Sequence, residues 1–283
     1  MKRIWMIPML ALAMLCAGCS SEDEVPAPNG SGKLQLTSRI STEVSEVISR
    51  AGQSELPAEL VPDADVLSLT ITGSYTDKGQ DPVAFNKTWA TVADFESENP
   101  DFEAGYYNAS AGSYQNSYKA TLSYGDPSSE GEGKAAFAGA SNDFVIYAGS
   151  QPTRVEASVK LANSCFTFAV TEWMLNYYTD LKLTIHTEAN NFTFEPTTTT
   201  PSTLIFVKAG QSLRFSGSAT KKQNGVEVTF PETTLGNATT VAQHKYMISV
   251  DHSTAGAAGL QIAFNDTFTE VPEQEVELNP DEN

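Results

Sequence analysis

Apolar and polar residues alternate along much of the chain, which is the period of a half-buried β-strand. The alternation is clear at Leu34 and Leu36. It returns at Leu67, Leu69 and Ile71. Further alternating or short apolar segments predict strands at residues 118–124, 135–148, 155–170, 181–187, 191–195, 204–207, 213–217, 226–230, 246–250 and 260–264. Many short strands separated by Gly, Asn and Pro turns predict an all-β fold of two tandem β-sandwich domains.

Three segments depart from this alternation. Residues 89–95 predict a short helix, and residues 173–178 predict a second one because their Trp, Met and Tyr side chains follow helical spacing. Residues 39–62 are ambiguous. Val44 and Val47 have helical spacing, but Gly and Pro residues interrupt the pattern further on. We therefore expect a surface segment there that need not pack tightly.

Gly, Ser and Pro residues indicate the loops and the domain boundary. Residues 126–133 are rich in Gly, Ser and Glu and predict an exposed loop. A Gly-Ser-Gln-Pro-Thr sequence separates two long alternating runs, which places one domain at residues 32–153 and the other at 154–280. The run at 155–170 is long for one strand, so we expect a bulge or bend near Asn163.

The composition is typical of a globular chain, with 40% hydrophobic and 10% aromatic residues among 283. This length suits two domains of ordinary size. The formal net charge of −18 would repel nucleic acid, so we expect no nucleic-acid partner. The apolar neighbours of Cys165 predict a buried, small hydrophobic side chain rather than a reactive thiol.

The N-terminus has the features of a bacterial lipoprotein signal. A positively charged start precedes the apolar run 4–16, which is shorter than the roughly 20 residues that a membrane-spanning helix needs. Two small residues, the second of them Gly18, come directly before Cys19. This lipobox predicts a signal peptide at residues 1–18, cleavage between Gly18 and Cys19, and lipid attachment at Cys19. An ordinary signal peptide cut at Ala17 is the alternative.

The residues after Cys19 predict a tether and a location. Residues 19–31 are acidic at first and then rich in Pro, Asn, Gly and Ser, without apolar periodicity, which is typical of a flexible linker. Their acidic start resembles the signal of surface-exported lipoproteins of Bacteroidetes. That resemblance implies an outer-membrane lipid anchor, with the protein facing the exterior.

The order of several motifs resembles a fimbrillin-like family of two-domain surface lipoproteins from gut Bacteroidetes. Besides the lipobox, the motifs are Gly32-x-Leu34-x-Leu36, Arg50-Ala51, Leu67-x-Leu69-x-Ile71, Gly105-x-Tyr107-x-Ala109-x-Ala111 and Val159-Lys160-Leu161-Ala162-Asn163. The resemblance covers nearly all of the chain after the signal. It implies two β-sandwich domains of the fimbrillin or transthyretin-like type, and a role in fimbrial assembly and cell adhesion.

The same resemblance implies a maturation step. In fimbrillins, a protease cuts after an arginine near the start of the first domain, removes a strand and opens a groove for the donor strand of a neighbouring subunit. Arg50 and Ala51 stand in the matching place, and Arg39 is a poorer candidate. Residues 273–278 predict one short final strand. The lack of a long spare C-terminal strand departs from the fimbrillin pattern, so we expect a tip or accessory subunit that accepts a strand from another fimbrial subunit rather than a polymerising stalk subunit.

Aromatic side chains support an alternative function, a glycan-binding surface lipoprotein of a polysaccharide-uptake system. The candidates for stacking on sugar rings are Trp89, Tyr106, Tyr107 and Trp173. Alternation would put Tyr106 and Tyr107 on opposite faces of a strand, so at most one of them would be buried in a core. Packing in the core is the competing explanation for these residues.

We find no sequence signature of catalysis, a metal or a cofactor. The three histidines are in separate segments without metal-ligand spacing, and the Gly-x-Ser-x-Gly, HExxH and phosphate-loop motifs are absent. Asp77, Gly79 and Asp81 lack the further oxygen ligands that calcium requires, and they predict a hairpin turn. We therefore expect that the protein is not an enzyme.

Overall fold

A computed structural model describes residues 30–47, 52–236, 239–253, 259–264 and 267–275. Almost all regular structure in these residues is β-strand, with two short helices, so the prediction of an all-β class is confirmed. The predicted lipid-attachment and signal-cleavage sites, Gly18 and Cys19, lie outside the described residues. So does the predicted maturation site, Arg50 and Ala51.

The elements follow one another in short succession. The earlier strands are β1 (Ser31–Gly32), β2 (Leu34–Ile40), β3 (Glu43–Val47), β4 (Gly52–Glu55), β5 (Ser68–Tyr75), β6 (Val83–Trp89), β7 (Phe102–Glu103), β8 (Tyr107–Asn108), β9 (Ser113–Tyr114), β10 (Asn116–Tyr124), β11 (Gly131–Glu132), β12 (Phe137–Ser141) and β13 (Thr153–Leu161). The later strands are β14 (Ser164–Val170), β15 (Tyr178–His186), β16 (Asn191–Phe194), β17 (Ile205–Val207), β18 (Arg214–Lys221), β19 (Glu227–Thr234), β20 (His244–His252), β21 (Gly259–Phe264), β22 (Thr267–Pro272) and β23 (Gln274–Glu275). The helices are α1 (Val92–Glu98) and α2 (Glu172–Tyr177), and 3-10 turns occupy Ala58–Leu60 and Ala64–Val66.

The first hydrophobic core lies on a six-stranded sheet in the order β2-β13-β12-β10-β5-β6. Its pairs are antiparallel except for β2 and β13, which run parallel. Leu69 and Ile71 of β5 are fully buried, as the alternation predicts. Phe95 of α1 and Phe102 of β7 are buried in the same core, and the ring of Phe102 lies 5.8 Å from that of Tyr118.

The second core lies between two sheets. One sheet has the order β11-β17-β14-β20-β21-β22, and β3 also pairs with β20. The other has the order β16-β15-β18-β19-β23. The shared core includes Phe166 and Phe168 of β14 and Leu183 and Ile185 of β15, all of them buried. Two sheets packed over one core form the β-sandwich that the spacing of the later strands predicts.

The run at residues 155–170 is two strands in different sheets rather than one bent strand. β13 belongs to the first sheet and β14 to the second. Between them, the fully buried Asn163 donates from its amide to the Lys134 carbonyl at 2.8 Å and accepts from the Ala136 N–H at 3.3 Å. The chain therefore passes from the first sheet to the second at this turn, and β14 contributes Cys165 to the first core and Phe166 to the second.

Two predicted surface segments are paired strands. Val44 is buried, and β3 pairs in parallel with β20 despite the helical spacing of its valines. The tip at residues 126–133 contains β11, which pairs with β17. In both places the partner strand is distant in sequence, so the local pattern carried no sign of the pairing.

Candidate functional site

The N-terminal segment, defined here as residues 30–47, lies at an edge of the first sheet. β2 is the last strand on its side of that sheet and pairs with β13 from Leu34 opposite Thr153 to Ile40 opposite Val159. Leu34 and Leu36 point into the first core and are buried. The alternation of apolar and polar residues predicted a strand at both leucines, and the structure places that strand at a sheet edge.

The same segment continues into the other sheet. Ser45 of β3 lies opposite His244 of β20. The Lys245 ammonium forms an ion pair with Glu46 at 3.0 Å, and both side chains are partly shielded from solvent. One short piece of chain therefore completes the edge of one sheet and pairs with a strand of the next.

Few polar side-chain contacts hold the N-terminal segment. The Lys33 ammonium lies 3.0 Å from the Asp101 carboxylate and donates to the Asn99 carbonyl at 2.6 Å. Surface ion pairs of this kind contribute about 0–1 kcal/mol. Burying an apolar side chain such as Leu34 or Leu36 contributes about 1.5–3 kcal/mol. Docking therefore depends mainly on the apolar side chains and the backbone ladder.

The described arginines lie in paired strands. Arg39 is in β2, Arg154 is in β13, and Arg214 is in β18. Their backbones form ladder hydrogen bonds, and a protease reaches a paired strand only after local unfolding. Arg50, which the resemblance marks as the maturation site, comes between β3 and β4 and outside the described residues.

The final described strands are held within the chain. β22 pairs with β21, and β23 pairs with β19. Next to β23, the side chain of Glu273 is 6% exposed and forms an ion pair with Lys221 at 2.5 Å. The Tyr178 hydroxyl donates to Glu273 at 2.7 Å, and burial together with this carboxylate raises the pKa of Tyr178. Part of the predicted strand at 273–278 is thus β23.

Glu130 connects the tip before β11 to the second core. Its carboxylate accepts hydrogen bonds from the Thr187 hydroxyl at 2.6 Å and the Asn190 amide at 3.0 Å. The Gln211 amide and the Lys208 backbone N–H also donate to it. Burial raises the pKa of the Glu130 carboxyl, but the four bonds favour its charged form, so its pKa lies below the ordinary 4.5.

The predicted sugar-stacking residues are scattered. Trp89 is 4% exposed in the first core, and its indole N–H donates to Glu98 at 2.7 Å, so it offers no face to a sugar. Tyr106 and Tyr107 are both half-buried. Gly105, with φ of 66°, separates β7 from β8, and the expected alternation of the two tyrosines does not hold across this break.

Trp173 is the one predicted stacking residue that lies open to solvent, with 71% of its surface exposed. It shares α2 with Tyr177, which is 43% exposed, whereas Met174 of the same helix is fully buried. Beside them, Asp251 and His252 of β20, together with Ser253, complete the lining of an open groove of about 450 Å³. The sequence pattern gave no sign that these three residues lie beside Trp173.

Other candidate chemistry is sparse in the described part of the chain. There, no group of His, Cys, Asp and Glu side chains could hold a metal ion, and no helix has the length and apolar character to cross a membrane. His186 is hydrogen-bonded to Asn191 and Ser216 at 2.7 Å each. Cys165 is buried as predicted, and burial raises the pKa of its thiol to about 12, which keeps it protonated and unreactive.

A family model described as Domain of unknown function (DUF4493) matches residues 86–280, more than half of the chain. The chain belongs to this family. The DUF4493 range begins within β6 and includes Trp173 and the other residues of the open groove, while the N-terminal segment precedes it.

Solved structures provide a second comparison. The chain is similar to a fimbrial assembly protein from Parabacteroides distasonis, with 10% identity and a TM-score of 0.43 over 86% of this chain and 99% of that one. It is also similar to the fimbrial anchor protein Mfa2 from Porphyromonas gingivalis, with 12% identity and a TM-score of 0.33 over 85% of this chain and 99% of that one. No curated protein matches the sequence.

Proposed function

We propose that the protein is a surface-exposed, lipid-anchored fimbrial subunit of the accessory or tip type, which accepts a strand from a neighbouring subunit. The observation that carries this proposal is the placement of the N-terminal segment. It occupies an edge of one sheet, pairs with a strand of the other, and ends three residues before Arg50. The motif order described above supports the fimbrial role.

A cut after Arg50 would leave the N-terminal segment attached by noncovalent contacts alone. Its departure would expose the backbone edge of β13 and the apolar core beneath Leu34 and Leu36. Backbone groups and apolar surface that have lost their partners are a ready template for another strand. An incoming strand would restore the same kinds of contact, so the exchange is close to balanced in free energy.

The place left by the N-terminal segment determines which strand can occupy it. An incoming strand must run parallel to β13 and carry apolar side chains at alternate positions to replace Leu34 and Leu36. A third apolar side chain would be needed where Val44 is buried in the first core. We therefore expect a donor strand with the pattern apolar-x-apolar, followed by a further apolar residue.

The described C-terminal strands fit an acceptor better than a donor. β22 and β23 are both paired within the chain. Releasing β23 would separate the buried carboxylate of Glu273 from Lys221, and breaking a buried pair is strongly unfavourable. These strands are thus poorly suited to transfer to a neighbour.

Digestion with an arginine-specific protease tests the proposal. We expect the folded mature protein to be cut at Arg50 well before Arg39, Arg154 or Arg214, since these three lie in paired strands. Mass spectrometry identifies the site. Arg50→Ala should abolish the early cut, and Arg39→Ala, the matched control, should leave it unchanged.

A second measurement tests whether the place vacated by the N-terminal segment accepts a strand. A fluorescent peptide with the sequence of residues 30–47 should bind the cut protein once its own segment is removed, and should not bind the uncut protein. A peptide carrying Leu34→Asp and Leu36→Asp should bind neither. The proposal fails if Arg50 resists cleavage while other arginines are cut, or if the cut protein never exchanges its segment for the peptide.

A further inference from the structure

The helix α2 presents an unusual amount of aromatic surface to water. Thr171 caps the helix by accepting a hydrogen bond from the Met174 N–H, and Met174 faces the core. Trp173 and Tyr177 are four residues apart and lie on the open side. Trp173 is the most exposed of the large apolar side chains in the described residues. An indole exposed to water does not gain the favourable free energy of burial. A contiguous exposed aromatic surface of this kind therefore indicates a contact site.

The Tyr177 ring, next to Trp173 on α2, is fixed in place before any ligand arrives. The centroids of Tyr177 and His252 are 4.1 Å apart with an interplanar angle of 32°. The buried Tyr178 ring lies 6.1 Å from His252 on the core side. The Tyr177 and Tyr178 centroids are themselves 5.5 Å apart, so the three rings form one cluster in which His252 supports Tyr177 from β20. A surface held in this way loses little conformational entropy when a ligand binds.

A carboxylate lines the same groove. Oδ1 of Asp251 accepts from the Thr171 hydroxyl at 2.5 Å and from the His252 backbone N–H at 2.8 Å, which fixes the side chain. Among the described residues, no hydrogen bond reaches Oδ2 and no Lys or Arg forms an ion pair with Asp251. The groove thus combines exposed aromatic side chains with an oriented hydrogen-bond acceptor.

We propose that the groove lined by Trp173, Tyr177, Asp251, His252 and Ser253 binds a neutral pyranose ring of a glycan. The apolar C–H face of such a ring packs on the Trp173 indole, and its hydroxyls donate to Asp251. The groove volume of about 450 Å³ lies within the roughly 300–1,000 Å³ of small-molecule sites. This inference goes beyond strand acceptance and identifies the ligand class of an adhesive surface.

The charge of the site selects among ligands. Asp251 lines the groove, and the chain has a formal net charge of −18, so an acidic sugar would be repelled. A cationic ligand prefers ring faces arranged around it, whereas Tyr177 and His252 stack against each other. A neutral sugar ring can pack on the exposed aromatic side chains and also donate hydrogen bonds to Asp251.

Isothermal titration of the uncut mature protein tests the site with starch, mannan, galactan and xylan, and with polygalacturonate as the acidic comparison. We expect saturable binding of at least one neutral polysaccharide. Trp173→Ala should weaken it about tenfold or more, because the stacking surface is lost. Asp251→Asn should weaken it about tenfold, since bonds to a charged acceptor are roughly twice as strong as neutral ones.

Phe268→Ala is the matched control, because Phe268 is a large apolar side chain, 69% exposed, that does not line the groove. It should bind as the wild type does, and thermal unfolding verifies that each variant is folded. Absence of binding to every neutral polysaccharide, binding of polygalacturonate alone, or equal binding by Trp173→Ala overturns the inference. The test uses uncut protein, so its outcome is independent of cleavage at Arg50.

Discussion

Glu130 illustrates how a single carboxylate can join two parts of a β-protein. Four donors surround it, from Thr187, Asn190, Lys208 and Gln211, and all four belong to the second core region. Hydrogen bonds to a charged acceptor are stronger than neutral ones, and each fixes the tip loop more firmly in one position. Glu130 directly precedes β11, which pairs with β17. The Glu130 side chain and the β11 backbone therefore hold the tip loop at the same place.

We expect Glu130→Gln to lower the free energy of unfolding by about 1–2 kcal/mol, because an amide cannot accept from all four donors. The carboxylate is only partly buried, and solvent screening keeps the loss in the lower part of the range for charged groups. Urea denaturation at pH 7 measures the change. Glu59→Gln, at an exposed position, is the control and should have no effect.

The stabilisation from Glu130 should depend on pH in a defined direction. Its pKa in the folded protein is below 4.5, so the folded state favours the charged form. The contribution is therefore fully present above about pH 4.5 and is lost as the pH falls through the folded-state pKa. Wild type and Glu130→Gln should thus converge in stability under acid. A difference that persists unchanged to low pH would contradict the role of the charge.

At the scale of elements, β23 depends on one buried ion pair. Lys221 contacts both Glu273, which is 6% exposed, and Glu275, which is 62% exposed. Glu273→Gln leaves Lys221 without its shielded partner and weakens the bond from Tyr178. We expect a loss of about 2–4 kcal/mol in unfolding free energy, since breaking a buried pair is far worse than breaking an exposed one. Chemical denaturation followed by circular dichroism measures it.

Glu275→Gln is the internal comparison, because it removes an exposed partner of the same lysine. It should change stability by less than about 1 kcal/mol. Hydrogen exchange at Val228 and Thr229, which pair with β23, would report on whether the strand has loosened. Equal effects of the two substitutions would show that burial of Glu273 does not matter.

The sequence predicted strands well and their partners poorly. Alternation at Leu69 and Ile71 was enough to predict a strand, because the period of two is a local property. Val44 and Val47 had helical spacing, yet they form β3, because pairing with β20 outweighs local preference. The same limit applies to the boundary near Asn163, where the change of sheet depends on contacts with residues far along the chain.

In the candidate sites too, the sequence predicted local features but not contacts between distant residues. Leu34 and Leu36 were placed correctly on a strand, and Trp173 was among the predicted stacking residues. Trp89 was grouped with it, although composition alone does not tell a buried indole from an exposed one. Asp251 could not be found, since only the parallel pairing of β14 with β20 brings it to Thr171 and helix α2.

At the scale of the whole molecule, we expect the protein to be held at the outer membrane by a lipid on Cys19. Cys19→Ser should move it from the membrane fraction to the soluble fraction, because its acyl chains are the proposed attachment. Immunoblots of separated fractions measure this. Cys16→Ser, in the apolar run of the signal, is the control and should stay with the membrane. Unchanged membrane association of the Cys19 variant would contradict the anchor.

β2 and β3 each pair in parallel with a strand that lies far along the chain, and this affects the order in which the strands fold. β2 and β3 are among the first strands to be synthesised, and β3 has a nearby partner in β4. Their parallel partners β13 and β20 come much later, however, and Glu46 and Lys245 are 199 positions apart. Contacts between such distant residues form late, because closing the long intervening loop costs conformational entropy before the contacts can form. We therefore expect the two sheets to assemble during synthesis before β2 and β3 pair with β13 and β20. These early strands should be among the last to dock.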